Sequence, residues 1–394
     1  MSLKTPAIPL ESVVAWRRYL HSHPELSFKE FETADFLMAT LKKLGVEASK
    51  PTETSVLGVV KGTGKIEDPT RTIALRADTD ALPVQEETGL PFASEVPGVM
   101  HACGHDAHTA MLLGTAAVLS KNRDKFGGTV KLIFQHAEEL NPGGARDLVA
   151  AGVLQGVNRI YGFHVMNGPI GTIHVSRGAA TSSAGGFFLS IQGQGAHGSM
   201  PHKGTDPVLC ASQIVVALNH IVSRNMNPTD MVVVNPGSIQ SGEAPNVIPD
   251  TAKLGCSIRT TSAEASSLAY KRAETVVKGI CMAYGCTYKF DWVPPYDIVV
   301  NDDECVDVVI EAAGHAVGPE NVEVVPASSG SEDFSNYLKV VPGAFVFVNG
   351  GDAAQGLPFV NHHPKFDVVE HPTLGNGVAT QLAIINHELG IDRP

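Results

Sequence analysis

The pattern that most restricts this chain is an alternation that breaks off and later resumes. Short β-branched runs at 58–60, 72–75, 129–134 and 160–165 alternate with helical stretches at 109–121 and 144–151. Parallel strands need crossover connections, so this order predicts an α/β layer sandwich with an at least partly parallel sheet. Ahead of it, residues 12–44 carry apolar side chains at helical spacing (Val13, Trp16, Leu20, then Phe36, Leu37, Leu41 and Leu44) and stop at Gly45, a natural C-cap. Two helices separated by His23-Pro24-Glu25 are expected there.

Near residue 180 small residues take over, from Arg177-Gly178-Ala179-Ala180 to Ala184-Gly185-Gly186, and read as a hinge. A strand at 187–191, a helix at 206–224, strands at 231–234 and 252–258, a helix at 262–284 and a strand at 286–293 follow. That β-α-β-β-α-β order predicts a four-stranded, ferredoxin-like α+β unit. After Val293-Pro294-Pro295 the first pattern returns, with helices at 303–317, 332–338 and 371–390 and strands at 322–325 and 344–348. The first domain is therefore expected to be discontinuous, 1–183 with 297–394, around an insert at 184–296.

Composition narrows the partners. With 41 acidic against 29 basic residues the formal charge is -12, the wrong sign for a phosphate-backbone footprint. No apolar run reads as a membrane span, and Met1-Ser2-Leu3-Lys4 lacks the basic and apolar regions of a signal peptide, so the cytoplasm is the expected compartment. Cys103, Cys210, Cys256, Cys281, Cys286 and Cys305 show no repeated spacing and read as reduced thiols.

Only Cys103 has neighbours that suggest chemistry. His101-Ala102-Cys103-Gly104-His105-Asp106-Ala107-His108 packs one thiol and three imidazoles just before a helical run. A Cys-x-His pair on a turn can aim two donors at one metal ion, or be no more than a buried thiol beside surface histidines. Three further donor clusters follow strands or lie in loops: His136-Ala137-Glu138-Glu139, Gly162-Phe163-His164, and Asn361-His362-His363-Pro364. Ligands collect at the carboxyl ends of strands in open α/β sheets, so these distant donors can converge. Cys103, His105, Glu139, His164 and His362 are too many for one catalytic zinc but suit two metals, with Glu138 left over as a base.

These motifs, together with Leu20-His21-Ser22-His23-Pro24-Glu25-Leu26-Ser27-Phe28, Arg76-Ala77-Asp78-Thr79-Asp80 and Ser331-Glu332-Asp333-Phe334, resemble the M20 metallopeptidase family. Within it the chain is similar to the aminoacylase, hippurate hydrolase and auxin-conjugate hydrolase branch. The resemblance implies two divalent ions, Zn²⁺ or Mn²⁺, on Cys103, His105, Glu139, His164 and His362, with Glu138 activating water. It implies a supporting role for Asp78, and it sets Arg76 where peptidase branches have a metal-binding His. In the insert it implies that His197 stabilises the oxyanion, often in the partner subunit's site, and that Asn246 and Arg259 hold a substrate carboxylate. A homodimer through the insert is implied as well. His136 stands where relatives usually have Pro and is expected to face the core. Spacing to Pro364 and Phe366 selects His362 over His363, and His202 has no assigned part.

The expected reaction is hydrolysis of an N-acyl amino acid to a carboxylic acid and a free amino acid. A dipeptidase or exopeptidase shares the chemistry and differs in what flanks the amide. A non-catalytic carboxylate binder would have lost Glu138 or a ligand, and none is lost. A thiol enzyme built on Cys103 would leave Glu139, His164 and His362 without a part.

Overall fold

The computed structural model describes residues 7–391. Two helices open the chain, α1 (Leu10–Ser22) and α2 (Phe31–Lys43). The break between them is longer than expected, 23–30, because Leu26 bridges to Ala81 and the Glu25 carboxylate accepts the Glu32 and Thr33 amides at the start of α2. Then come β1 (Glu47–Ser49), β2 (Val56–Lys61), β3 (Thr72–Asp78), α3 (His105–Lys121), β4 (Thr129–Gln135), α4 (Gly144–Ala150), β5 (Arg159–Met166), β6 (Ile173–Val175) and β7 (Gly178–Ala179). The helix α3 begins four residues before the expected start, so His105 and His108 lie in its first turn. It is apolar on every side, as a fully buried helix must be, and it buries every residue from His105 to Leu119.

The middle of the chain forms β8 (Ser183–Gln192), β9 (Ala196–His197), α5 (Pro207–Asn225), β10 (Val232–Ser241), β11 (Val247–Ile248), β12 (Thr251–Thr260), α6 (Ala263–Tyr284) and β13 (Thr287–Tyr296). The last part forms β14 (Val300–Asn301), α7 (Asp303–Val317), β15 (Val322–Val324), α8 (Ser335–Leu338), β16 (Gly343–Asn349) and α9 (Glu370–Leu389). The helix expected at 332–338 shrinks to α8, since Asp333 is drawn to the Arg76 guanidinium and the Gln135 amide instead.

The chain divides into two compact units. One takes in the residues up to Ala180, then Val300–Pro326, then those from Asp333 on; the other is Thr181–Val299 with Ala327–Glu332. The first is a mixed α/β fold around an eight-stranded sheet of order β1-β2-β4-β3-β5-β16-β6-β15. Every residue of β3 and β16 is buried, as central strands covered on both faces require.

The second unit has an antiparallel sheet of order β10-β12-β8-β13, with β12 alternating so that Ala252, Leu254, Cys256 and Ile258 face its core. Both outer strands run past the expected ends and through prolines, Pro236 in β10 and Pro294-Pro295 in β13. An edge strand tolerates a missing N–H there, and the register shifts at both places. Asp206 caps α5 by accepting from the Val208 and Leu209 amides. By length and a mean hydropathy of 1.2, α5 qualifies as a membrane span, although the sequence pattern predicts none. It packs instead as a core helix, its Cys210, Ala211, Ile214, Leu218 and Ile221 stripe buried with residues of the sheet and α6.

Candidate metal centre

Four neighbouring strands, β4, β3, β5 and β16, run parallel, so their carboxyl ends open on one side. Cys103 stands between β3 and α3 and His105 opens α3, Glu138 and Glu139 follow β4, His164 is close to the end of β5, and His362 follows β16. All six residues expected to act from this unit therefore fall where α/β sheets collect ligands.

Local backbone aims them. Gly104 has φ 90°, and a Cβ there would stand 2.3 Å from Val165 Cγ2, so only glycine lets the Cys103–His105 turn lie against β5. Asn361 Nδ2 donates to the Cys103 and Val165 carbonyls at 3.0 and 3.2 Å, and the His362 amide donates to Ala102 O at 2.7 Å.

Cys103 Sγ lies 3.4 Å from His164 Nε2 and 3.3 Å from His362 Nε2. Glu139 Oε1 lies 3.2 Å from His362 Nε2 and 3.9 Å from His105 Nε2. The donor atoms group into two triads, Cys103-His105-His164 and Cys103-Glu139-His362, which share the thiol, and Glu138 joins His105 and Glu139 in a third. His105 Nδ1 donates to Asp80 O at 2.8 Å and His164 Nδ1 to Val165 O at 2.8 Å, which leaves Nε2 of each as the lone-pair atom. His105 Nε2 and Glu139 Oε1 are buried and make no hydrogen bond. Groups left so are costly unless a cation takes them up, and a thiol, imidazoles and a carboxylate together suit a divalent metal.

Electrostatics agree with this at His164, whereas Cys103 and His105 hold protons that a cation would displace on binding. Burial, then the charges of Glu139 and Glu138, holds the Cys103 thiol well above its usual range, the opposite of an activated nucleophile. Burial, then the neighbouring His108, keeps the His164 ring well below the usual range and so neutral. Burial works against a charge on His105, but Asp78 and Asp80 outweigh it and carry the ring up to about 10.

Asp78, the one supporting residue expected, accepts from His108 Nδ1 at 2.6 Å and from Arg76 at 2.7 Å. His108 Nε2 in turn accepts the Val165 amide at 2.7 Å, so Asp78 braces the end of β5. Two carboxylates flank His105: Asp78 Oδ2 lies 3.6 Å from Nε2, while Asp80 Oδ1 is 3.2 Å from Nδ1 and its Oδ2 accepts the Glu139 amide at 2.9 Å. Asp80 stands two residues beyond Asp78 in the same motif, and nothing in its sequence context marks it as the partner of His105. His136 is buried with its ring against Phe28, and His363 stacks on Phe359, away from the thiol that His362 faces.

His197, Asn246 and Arg259 lie on the second unit. His197 in β9 pairs with Val247 in β11, which sets it beside Asn246, whose carbonyl accepts the Gly198 amide at 2.8 Å. The Ser199 amide donates to His197 Nδ1 at 3.1 Å, so a neutral ring carries its proton on Nε2 and can donate from there. Arg259 lies in β12 and donates to Ser329 O at 3.3 Å, and His202 is exposed in the turn after β9.

Comparison with known proteins agrees in fold and in family. The model of peptidase family M20/M25/M40 matches residues 74–387. An N-acyl-L-amino acid amidohydrolase of Geobacillus stearothermophilus is 45% identical over 295 residues, 74% of this chain and 78% of that one. An N-acetylcysteine deacetylase of Bacillus subtilis is 39% identical over 377 residues, 95% of this chain and 96% of that one. The crystal structure of the Bacillus subtilis YXEP protein, described as a dinuclear metal-binding peptidase of the M20 family, superimposes with a TM-score of 0.77 at 36% identity, over 95% of this chain and 97% of that one. The chain is a member of the M20/M25/M40 peptidase family.

Proposed function

We propose that this protein is a metal-dependent amidohydrolase that cleaves N-acyl amino acids into a carboxylic acid and a free amino acid. The observation that carries the reading is the gathering of one thiol, three imidazoles and one carboxylate beyond four parallel strand ends, in two triads joined at Cys103, with Glu138 beside His105 and Glu139. Relatives named for N-acyl amino acid and N-acetylcysteine hydrolysis support the substrate class.

Cys103, His105, Glu139, His164 and His362 would hold two divalent ions, Zn²⁺ or Mn²⁺. When bound, such ions supply Lewis acidity that lowers the pKa of water and polarises an amide carbonyl. Glu138, 5% exposed beside His105 and Glu139, takes the proton of the attacking water and returns it to the leaving amine. His197 donates from Nε2 to the oxyanion, and Asn246 and Arg259 hold the carboxylate of the amino-acid half. Asp78 fixes the frame through His108.

The second unit serves as the satellite domain, and it joins two chains into a homodimer. Val208, Leu209, Val216 and Val222 on α5 are exposed, and β10 is the outer strand of its sheet, surfaces suited to a symmetric interface. Six unpaired cysteines support a reducing compartment, and we place the enzyme in the cytoplasm.

The test is amino-acid release from N-acetyl amino acids, N-benzoylglycine, indole-3-acetyl amino acids and unblocked dipeptides, after chelation and with Zn²⁺ or Mn²⁺ restored. Turnover of the N-acyl substrates that needs both metal and Glu138 is expected. Preference for unblocked dipeptides would make the protein a peptidase, and turnover that survives chelation would overturn the metal reading.

A further inference from the structure

The turn Ser27-Phe28-Lys29-Glu30, which continues the N-terminal motif Leu20–Phe28, has no part in the chemistry of the metal centre, yet its side chains reach the loop that carries Glu138. Glu30 is fully buried. Its Oε1 accepts two amides, from Phe28 at 3.0 Å and from Ala137 at 2.7 Å. Among the described residues three non-glycine residues have positive φ, Phe28 at 65°, Ala137 at 52° and His362 at 72°. Two of the three donate to this single oxygen. A left-handed alanine persists only where its surroundings impose it, and here both peptide groups of Ala137 are engaged. Its carbonyl accepts the Gly144 amide at 3.0 Å, while its N–H goes to Glu30.

The other side of Glu138 is held in the same way. Asp80 Oδ2 accepts the Glu139 amide at 2.9 Å and the Ser27 hydroxyl at 2.7 Å. The Phe28 ring packs edge-on against His136, with centroids 5.5 Å apart. The residues before and after Glu138 are thus both fixed by carboxylates tied to the turn at 27–30.

We infer that Glu30 is a positioning residue for the catalytic base: by seating the Phe28 and Ala137 amides on one oxygen it holds Ala137 in the left-handed backbone that aims Glu138. The inference rests on Glu138 being the base, and it makes the turn at 27–30 act on the chemistry through the backbone that aims Glu138.

The experiment compares the wild type with Glu30→Gln, Glu30→Leu and Glu30→Leu/Ala137→Gly in the metal-loaded enzyme. It measures metal content, hydrogen exchange over 135–140, and kcat and KM on the best N-acyl substrate. Glu30→Gln keeps an acceptor, so its exchange and kcat stay within about threefold of wild type. Glu30→Leu exchanges faster over 135–140 and loses about 10²-fold in kcat, with KM and metal content unchanged, as a misdirected base requires. Glycine occupies the left-handed region without a Cβ penalty, so Ala137→Gly returns part of the lost kcat. Unchanged exchange and kcat in Glu30→Leu, a loss that only follows metal content, or no recovery in the double variant overturns the inference. If Glu30→Leu does not fold, Glu30→Gln decides alone: a kcat loss of about tenfold or more at full metal content refutes the acceptor role. Glu138→Ala keeps the two readings apart. Its retaining turnover removes the base assignment, whereas unaltered exchange in Glu30→Leu removes the clamp.

Discussion

Gly104→Ala measures how tightly the centre is built. Three terms act at this position, two of them opposed. Left-handed backbone costs an L-residue about 1–2 kcal/mol. The loss of unfolded-chain freedom on adding a methyl group returns about 0.4–1 kcal/mol. Gly45, with φ 71° and nothing within 4 Å of the place a methyl group would take, meets these two terms alone. Gly45→Ala should therefore lower stability by about 1 kcal/mol. At Gly104 the new methyl would also stand 2.3 Å from Val165 Cγ2, the stiff branch of a fully buried valine. Overpacking of this kind adds about 1–3 kcal/mol, so Gly104→Ala should cost about 2–4 kcal/mol in all. The backbone of Val165 bonds to His108, His164 and Asn361, so relief of the clash moves the imidazole as well as the thiol. Metal affinity should fall about 10–100-fold, the usual effect of disturbing the groups behind metal ligands. Urea unfolding of metal-free Gly104→Ala and Gly45→Ala, followed by metal titration, reads both quantities. Equal stability losses in the two variants, with metal affinity intact at Gly104, would refute the close contact with β5.

Three further outcomes are expected. Glu138→Gln should lower kcat about 10²–10⁴-fold while metal content stays at the wild-type level, measured by steady-state kinetics beside elemental analysis. His21 should make stability depend on pH. Burial opposes its charge, but Asp106 and then Glu86 outweigh it and raise the ring to about 9. Its folded pKa lies above its unfolded one, so its contribution of about 3 kcal/mol is complete below about pH 6.5 and disappears as the pH rises through 9. The stability gap between wild type and His21→Gln, followed by urea unfolding, should close over that interval; a gap constant from pH 6 to 9.5 would contradict the pairing with Asp106. Val216→Glu, at a position 66% exposed on α5, should give monomers in analytical ultracentrifugation if that face joins the chains.

The alternation of strands and helices was legible because each long element carries its own apolar period, and α7 begins and ends at the residues expected, 303 and 317. The two-residue strands β7, β9, β11 and β14 were not legible, since pairing with a distant partner defines them and two residues carry no period. Pro236, Pro294 and Pro295 misled in the same direction. A proline ends a strand only where its N–H is needed, and edge position follows from strand order, which no local pattern records.

The donors were legible for a chemical reason: thiol, imidazole and carboxylate side chains beyond strand ends have few other uses in that combination. The groups that aim them are ordinary acids and amides whose partners lie far along the chain. Asp80 reaches His105 across 25 residues and Glu30 reaches Ala137 across 107. Asp78 and Asp80 share one face of an extended segment and look equivalent in sequence. Both are fully buried, and their partners separate their tasks. Asp78 hydrogen-bonds Arg76 and His108 at the end of the strand and stands 3.6 Å from His105 Nε2, while Asp80, beyond the last residue of β3, hydrogen-bonds His105 Nδ1 and the Glu139 amide. The position of a carboxylate relative to the strand end therefore decides whether it braces the scaffold or orients a ligand, and that position is fixed by where β3 stops pairing with β4, at Asp78 opposite Gln135.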